Sequence, residues 1–307
     1  MTASPPPAVC VVVPTHNRPA MLRSALDSIL QQDYAGPIDV IVVFDRADPD
    51  RSLEQHDALR SVRVIANTRT PGLSGARNSG ILESGDAEYV AFCDDDDTWL
   101  PRKITEQVTV LVDDDGAGLC TTGIVINYDG RAIPRPSPVD VLDHRTLLRD
   151  RTPEAHSSTF LFRRSVFDEV GLIDEDIPGG YSEDYDILLR VARVRRIRCV
   201  RTPLATIHWG RTSYFQTRWQ TTVMAQRYLL EKHPEFGRDR RAECRVRGQI
   251  AFALAALGER RSTFREVGAI LRRWPLEKRW PIAVLVALRV VSADRALALA
   301  HRFGRGI

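Results

Sequence analysis

Continuous apolar runs alternate with helically spaced apolar positions over the first third of the chain. The apolar runs predict buried strands at residues 9–13 (VCVVV), 38–44, 62–66 and 88–93. Residues 19–32 and 75–83 lie between these strands and carry the spacing expected of helices. Strands that alternate with helices predict an α/β fold with a mostly parallel central sheet flanked by helices.

The middle of the chain continues this alternation less regularly. Helices are predicted at residues 101–112 and 182–194, and extended segments at 118–128, 158–163 and 197–207. The stretch 129–156 holds four prolines, which predicts an irregular loop. From about residue 214 apolar residues recur at helical spacing, which predicts helices at 214–232, 240–258, 262–273 and 281–302. We therefore expect an α/β domain at 1–211 and a C-terminal helical region at 212–307.

Charge divides the chain in the same way. The 307 residues carry a net charge of +3, but residues 1–189 hold 17 basic and 32 acidic residues (−15), and residues 190–307 hold 26 and 8 (+18). A hydrophobic content of 43% excludes wholesale disorder. The five cysteines are scattered, with no Cys/His cluster, which predicts a reducing compartment and no structural zinc.

The sequence shows no secretory signal, and its longest apolar run, residues 281–288, is too short to span a membrane. We therefore expect a cytoplasmic protein. The motifs RRWP and KRWP precede that apolar run, a pattern that favours peripheral contact with the inner face of an anionic membrane. A helix that only packs in the core is an equal alternative. Nucleic acid is not an expected partner, because no recognisable binding motif accompanies the positive charge.

The strongest chemical signal is FCDDDDTW, residues 92–99, at the end of a predicted strand. Four adjacent carboxylates repel one another, so a bound cation would stabilise them. Hard divalent cations prefer such oxygen ligands and share them with substrate phosphates. A solvated acidic turn is the alternative interpretation of this run taken alone.

Four weaker motifs accompany the acidic run. The helix start PGLSGARNSG carries Arg77 and is typical of an anion site. The motif PTHNRP follows the first strand and Asp45 follows the second, where each is equally typical of a cap or a turn. The segment GGYSEDYD offers a carboxylate as a general base, and His208 ends a predicted strand.

Together these segments resemble inverting family 2 glycosyltransferases of the GT-A fold over residues 9–211. The resemblance rests on the order of VVVPTHNRPAMLRSALDSILQQ, VVFD, PGLSGARNSGI, FCDDDDTWLP, SSTFLFRRSVFDEVGLIDE, GYSEDYDILLR and IHWG. It implies a GT-A catalytic domain at 1–211, followed by the basic helical extension at 212–307. It also implies a nucleotide-sugar donor at the strand ends, with a divalent metal, Mn²⁺ or Mg²⁺, bridging its diphosphate.

The resemblance assigns roles to particular residues. It implies that the donor is bound by Pro14, Thr15, Asn17, Asp45, Arg77, Asp94 and Asp95. The family's DxD register makes Asp96 the metal ligand, and His208 matches a position that assists metal or diphosphate binding. Asp95 and Asp97 offer a second register, which stays open.

The same resemblance makes Asp184 the general base that gives inversion. It places on the acceptor side Glu183, Ser157, Ser158 and Trp209. The expected activity is transfer from a UDP- or dTDP-sugar to a hydroxyl of a glycan, lipid-linked or cell-envelope acceptor. A sugar-nucleotide pyrophosphorylase is an alternative, disfavoured because PTHNRP replaces its glycine-rich loop. A non-catalytic nucleotide- or glycan-binding relative is the other alternative.

Overall fold

A computed structural model of the chain describes residues 5–128, 130–209 and 218–302. The chain forms two compact units. The described part of the larger unit runs to Leu147 and adds Arg151–Glu175 and Glu183–Trp209, and the smaller unit holds Leu148–Asp150, Asp176–Ser182 and the residues from 218 onward. The expected boundary between residues 211 and 212 lies outside the described residues, so the division at 211 stays a prediction.

One sheet forms the centre of the larger unit. Its strands are β1 (Val9–Thr15), β2 (Ile38–Phe44), β3 (Gln55–His56), β4 (Arg60–Ala66), β5 (Tyr89–Phe92), β6 (Thr98–Trp99), β7 (Ala117–Tyr128), β8 (Arg131–Arg135), β9 (Val141–Leu142), β10 (Leu161–Arg163) and β11 (Arg196–Trp209). Their order across the sheet is β3-β4-β2-β1-β5-β10-β7-β11-β6, with β8 beside β7 and β9 beside β11.

The longer strands carry the parallel pairing that the sequence predicts. Strand β1 pairs in parallel with β2 and β5, β2 with β4, and β7 with β11. The short strands β3, β6, β8, β9 and β10 pair antiparallel, so the whole sheet is mixed. Every residue of β1 is buried, because helices cover both faces of a parallel sheet.

Helices follow the strands of the larger unit up to residue 194. They are α1 (Pro19–Leu30), α2 (Leu73–Leu82), α3 (Lys103–Val112), α4 (His144–Arg149), α5 (Val166–Val170) and α6 (Glu183–Val194). Pro19 begins α1, where its fixed φ suits the first helical turn and no backbone donor is lost. In α2 a Cβ on Gly80 would lie 2.3 Å from Cγ1 of Val12, so glycine lets this helix approach β1 closely.

The prediction of an irregular loop at 129–156 was wrong in part. This stretch contains β8, β9 and α4. Strand β8 pairs with β7 although it contains Pro134, which lies opposite Val125. Proline is tolerated on a strand at a sheet edge, where its missing N–H costs no ladder bond. The predicted strand at 158–163 is also shorter, because a 3₁₀ turn occupies Ser157–Thr159 before β10.

The smaller unit is helical. Its helices are α7 (Trp219–Lys232), α8 (Glu235–Arg238), α9 (Arg240–Ala256), α10 (Arg260–Arg273), α11 (Trp280–Ala287) and α12 (Ala293–Arg302). Asp239 caps α9, since its side chain accepts from the backbone N–H groups of Arg241 and Ala242. The single helix predicted at 281–302 is wrong: α11 ends before Arg289, whose φ of 62° is left-handed, and α12 begins beyond it.

All five cysteines are buried as free thiols. Burial raises the pKa of each thiol above its ordinary value, which disfavours the reactive thiolate. Among the described residues no helix is long and apolar enough to cross a membrane.

Candidate active site

The carboxyl ends of β1, β2 and β5 bring several predicted donor-binding residues together. Asp45 follows β2, and its backbone N–H donates to the carbonyl oxygen of Thr15 at 3.0 Å. The hydroxyl of Thr15 donates to Oδ2 of Asp95, just beyond β5, at 2.8 Å. Pro14 is buried in β1 opposite Val43. Ligands of α/β sheets bind at this edge, so these residues lie where a donor is expected.

Asp45 holds the turn that precedes α2. Its Oδ1 accepts from Nδ2 of Asn67 at 2.8 Å and from the backbone N–H of Gly72 at 2.9 Å, and its Oδ2 accepts from Nε of Arg46 at 3.0 Å. Burial raises the pKa of Asp45, but these donors bring it below its ordinary value. Asn17 is exposed with a φ of 56°, and its Nδ2 lies 3.2 Å from Nε2 of His16, whose Nδ1 lies 2.7 Å from the carbonyl oxygen of Asp45.

Arg77 joins the donor edge to the segment that holds the predicted base. Its Nη2 donates to Oδ1 of Asp94 at 2.6 Å, and its Nη1 donates to Glu183. Burial lowers the pKa of Arg77, but the two carboxylates raise it further, so the guanidinium stays charged. Burial raises the pKa of Glu183 to about 7, in spite of Arg77. A single buried cation therefore connects β5 with the start of α6.

The four aspartates of residues 94–97 have separate surroundings. Asp94 accepts from Ser157 Oγ at 2.9 Å in addition to Arg77. Asp96 is part-exposed and accepts from Nη1 of Arg18 at 2.5 Å. Asp97 is buried and accepts from Ser158 Oγ at 2.5 Å.

Electrostatics also separates these four carboxyls. Burial opposes ionisation of Asp94, but Arg77 holds its pKa below the ordinary value. Burial and the charge of Asp94 raise the pKa values of the other three, Asp95, Asp96 and Asp97. Four crowded carboxyls thus share two arginine partners, Arg18 and Arg77, and their mutual repulsion disfavours ionisation of three of them. Such crowding favours binding of a cation.

Two carboxylates and an imidazole come together at this run. Oxygen atoms of Asp94 and Asp97 and a ring nitrogen of His156 all lie within 4.8 Å of one another. The predicted metal ligands are placed differently. Asp96 is held by Arg18, while His208 has an exposed side chain and donates its backbone N–H to Oδ1 of Asp97 at 3.2 Å. Carboxylate oxygens with imidazole nitrogen suit a divalent cation such as Mn²⁺, so the donor set fits one.

Asp184 begins α6 and is bound by an arginine. Nη2 of Arg151 donates to Oδ1 at 2.7 Å and to Oδ2 at 2.6 Å. Burial raises the pKa of Asp184, but Arg151 brings it below the ordinary value. The carboxylate is therefore ionised, as a proton acceptor must be.

The predicted acceptor-side serines lie against the acidic run. Ser157 contacts Asp94, and Ser158 accepts from the backbone N–H of Asp94 at 3.0 Å while donating to Asp97. Their hydroxyls thus position the aspartates. Trp209 ends β11, and its side chain lies outside the described residues.

The structure adds residues that sequence reasoning did not select. His156, Arg151 and Arg18 contact the predicted site although each lies in a loop, where no periodic pattern marks it. For His156 the adjoining Ser157 and Ser158 were a usable signal. For Arg151 the sequence offered no such signal, because it lies 33 positions before Asp184 in the chain.

A mixed α/β sheet with an acidic run at its donor edge defines a nucleotide-diphospho-sugar transferase of the GT-A type. The chain belongs to glycosyl transferase family 2, whose sequence model matches residues 10–171. The recognised resemblance and the predicted fold class are thereby confirmed.

Several curated proteins are similar to the chain. It is 28% identical over 200 residues to an uncharacterized glycosyltransferase of Rickettsia felis, covering 62% of this chain and 32% of that protein. It is 28% identical over 213 residues to the amylovoran biosynthesis glycosyltransferase AmsB of Erwinia amylovora, covering 64% of this chain and 68% of that protein. The chain thus spans about a third of the first relative's length and about two thirds of the second's.

Solved structures share the fold. TarS 1–349 of S. aureus, in complex with UDP-GlcNAc, has a TM-score of 0.61 at 15% identity, covering 97% of this chain and 92% of that one. The mannosyltransferase PcManGT of Pyrobaculum calidifontis, in complex with GDP-Man and Mn²⁺, has a TM-score of 0.57 at 20% identity, covering 96% and 83%. At these identities the likeness concerns the fold.

Proposed function

We propose that the protein is a metal-dependent, inverting glycosyltransferase. It moves a sugar from a nucleoside-diphosphate sugar, UDP- or dTDP-linked, to a hydroxyl of a glycan, lipid-linked or cell-envelope acceptor. The observation that carries this proposal is the contact of Arg77 with both Asp94 and Glu183. This contact links the edge of the sheet where the donor is expected to the carboxylate pair Glu183 and Asp184.

The residues of the chain divide the reaction between them. Pro14, Thr15 and Asp45 contact the nucleoside at the strand ends, and Arg77 stabilises negative charge near the diphosphate. Asp184 takes the proton of the acceptor hydroxyl as its oxygen attacks the anomeric carbon. The bond to the diphosphate breaks on the opposite face, and its electron pair leaves with the nucleoside diphosphate. A single displacement of this kind inverts the anomeric configuration.

The acidic run would hold the divalent metal. We assign Asp96 and His208 as its ligands from the family register, and Asp94, Asp97 and His156 as the alternative set. The first set is favoured because Asp96 and its partner Arg18 are 32% and 40% exposed, whereas Asp94 is held by the buried Arg77 and Asp97 is itself buried. When bound, the cation would offset the charge that develops on the leaving diphosphate.

Peripheral contact with an anionic membrane is part of the proposal. We define the basic surface as residues 260–290, which include α10 and α11. Its exposed cations are Arg260, Arg261, Arg265, Arg272, Arg273, Lys278 and Arg289. Its two acids face inward: Glu266 pairs with Arg247 at 2.8 Å, and Glu277 is buried against Arg279.

Large apolar side chains project from the same stretch. Exposed in the basic surface are Phe264, Leu271, Leu276, Leu285, Leu288 and Val290. Phe264 and Leu271 lie two turns apart on one face of α10, with Arg265 and Arg272 beside them. Cations interleaved with exposed apolar side chains suit the headgroup region of an anionic bilayer. Relatives support such a location: the Escherichia coli protein WfgD is named for a diphosphoundecaprenol-linked acceptor.

One experiment tests the catalytic proposal and both alternatives. Thermal unfolding is measured with UDP-, dTDP- and GDP-sugars, each with and without Mn²⁺, and release of the nucleoside diphosphate is then followed. We expect one nucleotide family to raise the melting temperature only with metal, and its hydrolysis to depend on Asp184. Binding without turnover would support a non-catalytic relative. Release of pyrophosphate from a nucleoside triphosphate and a sugar phosphate would support a pyrophosphorylase.

A further inference from the structure

The carboxylate of Asp184 is engaged on both oxygen atoms. Arg151 donates to each of them, and the backbone N–H of Tyr185 adds a bond to Oδ1 at 2.8 Å. The side chain of Asp184 is 10% exposed, whereas that of Arg151 is 37% exposed. The ion pair therefore has one buried partner and one partner that solvent reaches.

This ion pair opposes the role of Asp184 as a base. A general base works best when its pKa lies near the working pH. Burial raises the pKa of Asp184, but Arg151, and to a smaller extent His156 and Arg77, bring it below its ordinary value. Asp184 is consequently a weak acceptor for a hydroxyl proton while Arg151 remains in place.

The backbone beside Arg151 is strained. Thr152 is buried and has a φ of 52°, the left-handed region that a β-branched residue rarely adopts. Such strain persists only where the surrounding structure enforces it, and it is typical of ligand clamps and switch segments. The turn that carries Arg151 is thus held in this conformation by its surroundings.

We propose that Arg151 binds a phosphoryl group of the acceptor, and that this binding releases Asp184 to act as the base. This inference rests on the transferase function proposed above. A guanidinium forms paired hydrogen bonds with phosphate as readily as with carboxylate. The side chain of Arg151 is 37% exposed, so an anion in solution can approach it. The phosphoryl group replaces the carboxylate of Asp184 as the anion that Arg151 binds, so the guanidinium keeps an anionic partner.

The transfer step then depends on the correct acceptor. The acceptor hydroxyl gives its proton to Asp184, and its oxygen forms the bond to the anomeric carbon. The bond between that carbon and the diphosphate breaks, and its electrons leave with the nucleoside diphosphate. Water alone meets an Asp184 that is still paired with Arg151. Hydrolysis of the donor by water alone is therefore slower than hydrolysis in the presence of a phosphoryl group.

Donor hydrolysis with a phosphoryl probe tests this inference. Phenylphosphonate supplies the anion without an alcohol group, and benzyl alcohol is the neutral probe of similar size. In the metal-loaded wild-type protein we expect phenylphosphonate to raise nucleoside diphosphate release severalfold, because a base with a higher pKa accepts the proton of the attacking water more readily. Benzyl alcohol should leave the rate unchanged.

Three variants assign the effect to Arg151. Arg151→Gln should lose the response to phenylphosphonate. Arg151→Lys keeps the positive charge but not the paired donors of a guanidinium, so it should retain a smaller response. Arg195→Gln is the matched control, because Arg195 is 40% exposed and pairs with the surface carboxylate of Glu169. It should respond like the wild type. An Arg151→Gln protein with the wild-type response, or a wild type that phenylphosphonate inhibits or leaves unchanged, would overturn the inference.

A second measurement needs no donor. The carboxyl ¹³C resonance of Asp184, assigned with Asp184→Asn, is titrated with and without phenylphosphonate. We expect the probe to raise the midpoint of this titration in the wild type but not in Arg151→Gln. The groups facing Asp184 are Arg151, His156, Arg77 and Glu183. A midpoint that the probe leaves unmoved refutes the role of Arg151, whereas failure of every donor to turn over refutes only the proposed function.

Discussion

Arg77 donates to Oδ1 of Asp94 at 2.6 Å from a side chain that is only 1% exposed. The same guanidinium contacts the buried carboxyl of Glu183. Removing Arg77 would leave the buried Glu183 and the part-buried Asp94 without their cation. We expect Arg77→Gln to lower the free energy of unfolding by about 3–5 kcal/mol, measured by urea denaturation.

A surface arginine gives the comparison for this change. Arg63 pairs with Asp39 at 2.6 Å, with both side chains about a third exposed. Arg63→Gln should cost about 1 kcal/mol or less, because solvent screens an exposed pair. Equal losses in the two variants would show that Arg77 is not the central cation of the site.

Asp184 should be needed for turnover but not for donor affinity. Replacing Asp184 by Asn preserves the shape of the side chain and removes the proton acceptor. We expect kcat to fall by a factor of about 10²–10⁴, while the donor Kd by calorimetry stays near the wild-type value. Asp168→Asn, at a surface carboxylate, is the control. Turnover near the wild-type rate in Asp184→Asn would exclude this base.

Two histidines distinguish the two candidate sets of metal ligands. His208 belongs to the set with Asp96, and His156 to the set with Asp94 and Asp97. We expect His208→Gln to weaken Mn²⁺ binding at least about tenfold in an electron paramagnetic resonance titration, and His156→Gln to leave it near the wild-type value. The reverse result would assign the metal to Asp94, Asp97 and His156.

Glu175 should stabilise the protein at neutral pH and lose that effect in acid. It accepts from Nδ2 of Asn78 at 2.6 Å, from the backbone N–H of Thr70 at 3.2 Å and from Arg69. Burial raises its pKa, but these donors lower it to about 2, from an ordinary value of 4.5. A lowered carboxyl pKa stabilises the folded state above the ordinary value.

The stabilisation should therefore fade as the pH falls from about 4.5 to about 2. Glu175→Gln should be less stable than the wild type at pH 7, and the two should converge over that range in urea denaturation. A stability difference that is constant from pH 7 to pH 2 would contradict the assignment.

The basic surface should bind anionic vesicles. Replacing Arg261, Arg265 and Arg272 of α10 by glutamine removes three exposed cations without touching the buried face. We expect sedimentation with phosphatidylglycerol vesicles to drop by at least about tenfold, since each cation contributes about 1 kcal/mol near such a surface. Phosphatidylcholine vesicles should bind neither protein. Undiminished sedimentation of the triple variant would assign α10 to packing alone.

Continuous apolar runs made β1, β2 and β5 predictable, because a strand buried on both faces leaves that signature in a few adjacent residues. The acidic run was predictable because it follows such a strand directly. Strand β8 was not, since Pro134 belongs at a sheet edge only once β7 is placed beside it. The break before α12 was hidden too, because Arg289 is an ordinary helix former held in a left-handed conformation by its surroundings.

Some residues of the candidate site can likewise be predicted from local sequence, whereas others depend on tertiary structure. Asp45 and Asp94 follow strands, so topology alone brings them to one edge. Arg151 lies in a loop 33 positions before Asp184, with β10 and α5 between them, and only the folded chain shows that contact. A contact between a loop residue and a helix residue far away in the chain depends on tertiary structure, which local sequence patterns do not reveal.

Because its five cysteines are buried, unfolding of the native protein can be followed by the labelling of its own thiols. A thiol reagent added to folded protein finds no accessible sulfur among them, whereas opening of a unit exposes the cysteines that this unit contains. The rate of alkylation under native conditions therefore counts rare opening events directly. Cys93 adjoins the acidic run and Cys244 lies in α9, so the order in which these two are labelled would tell whether the two units open together or one at a time.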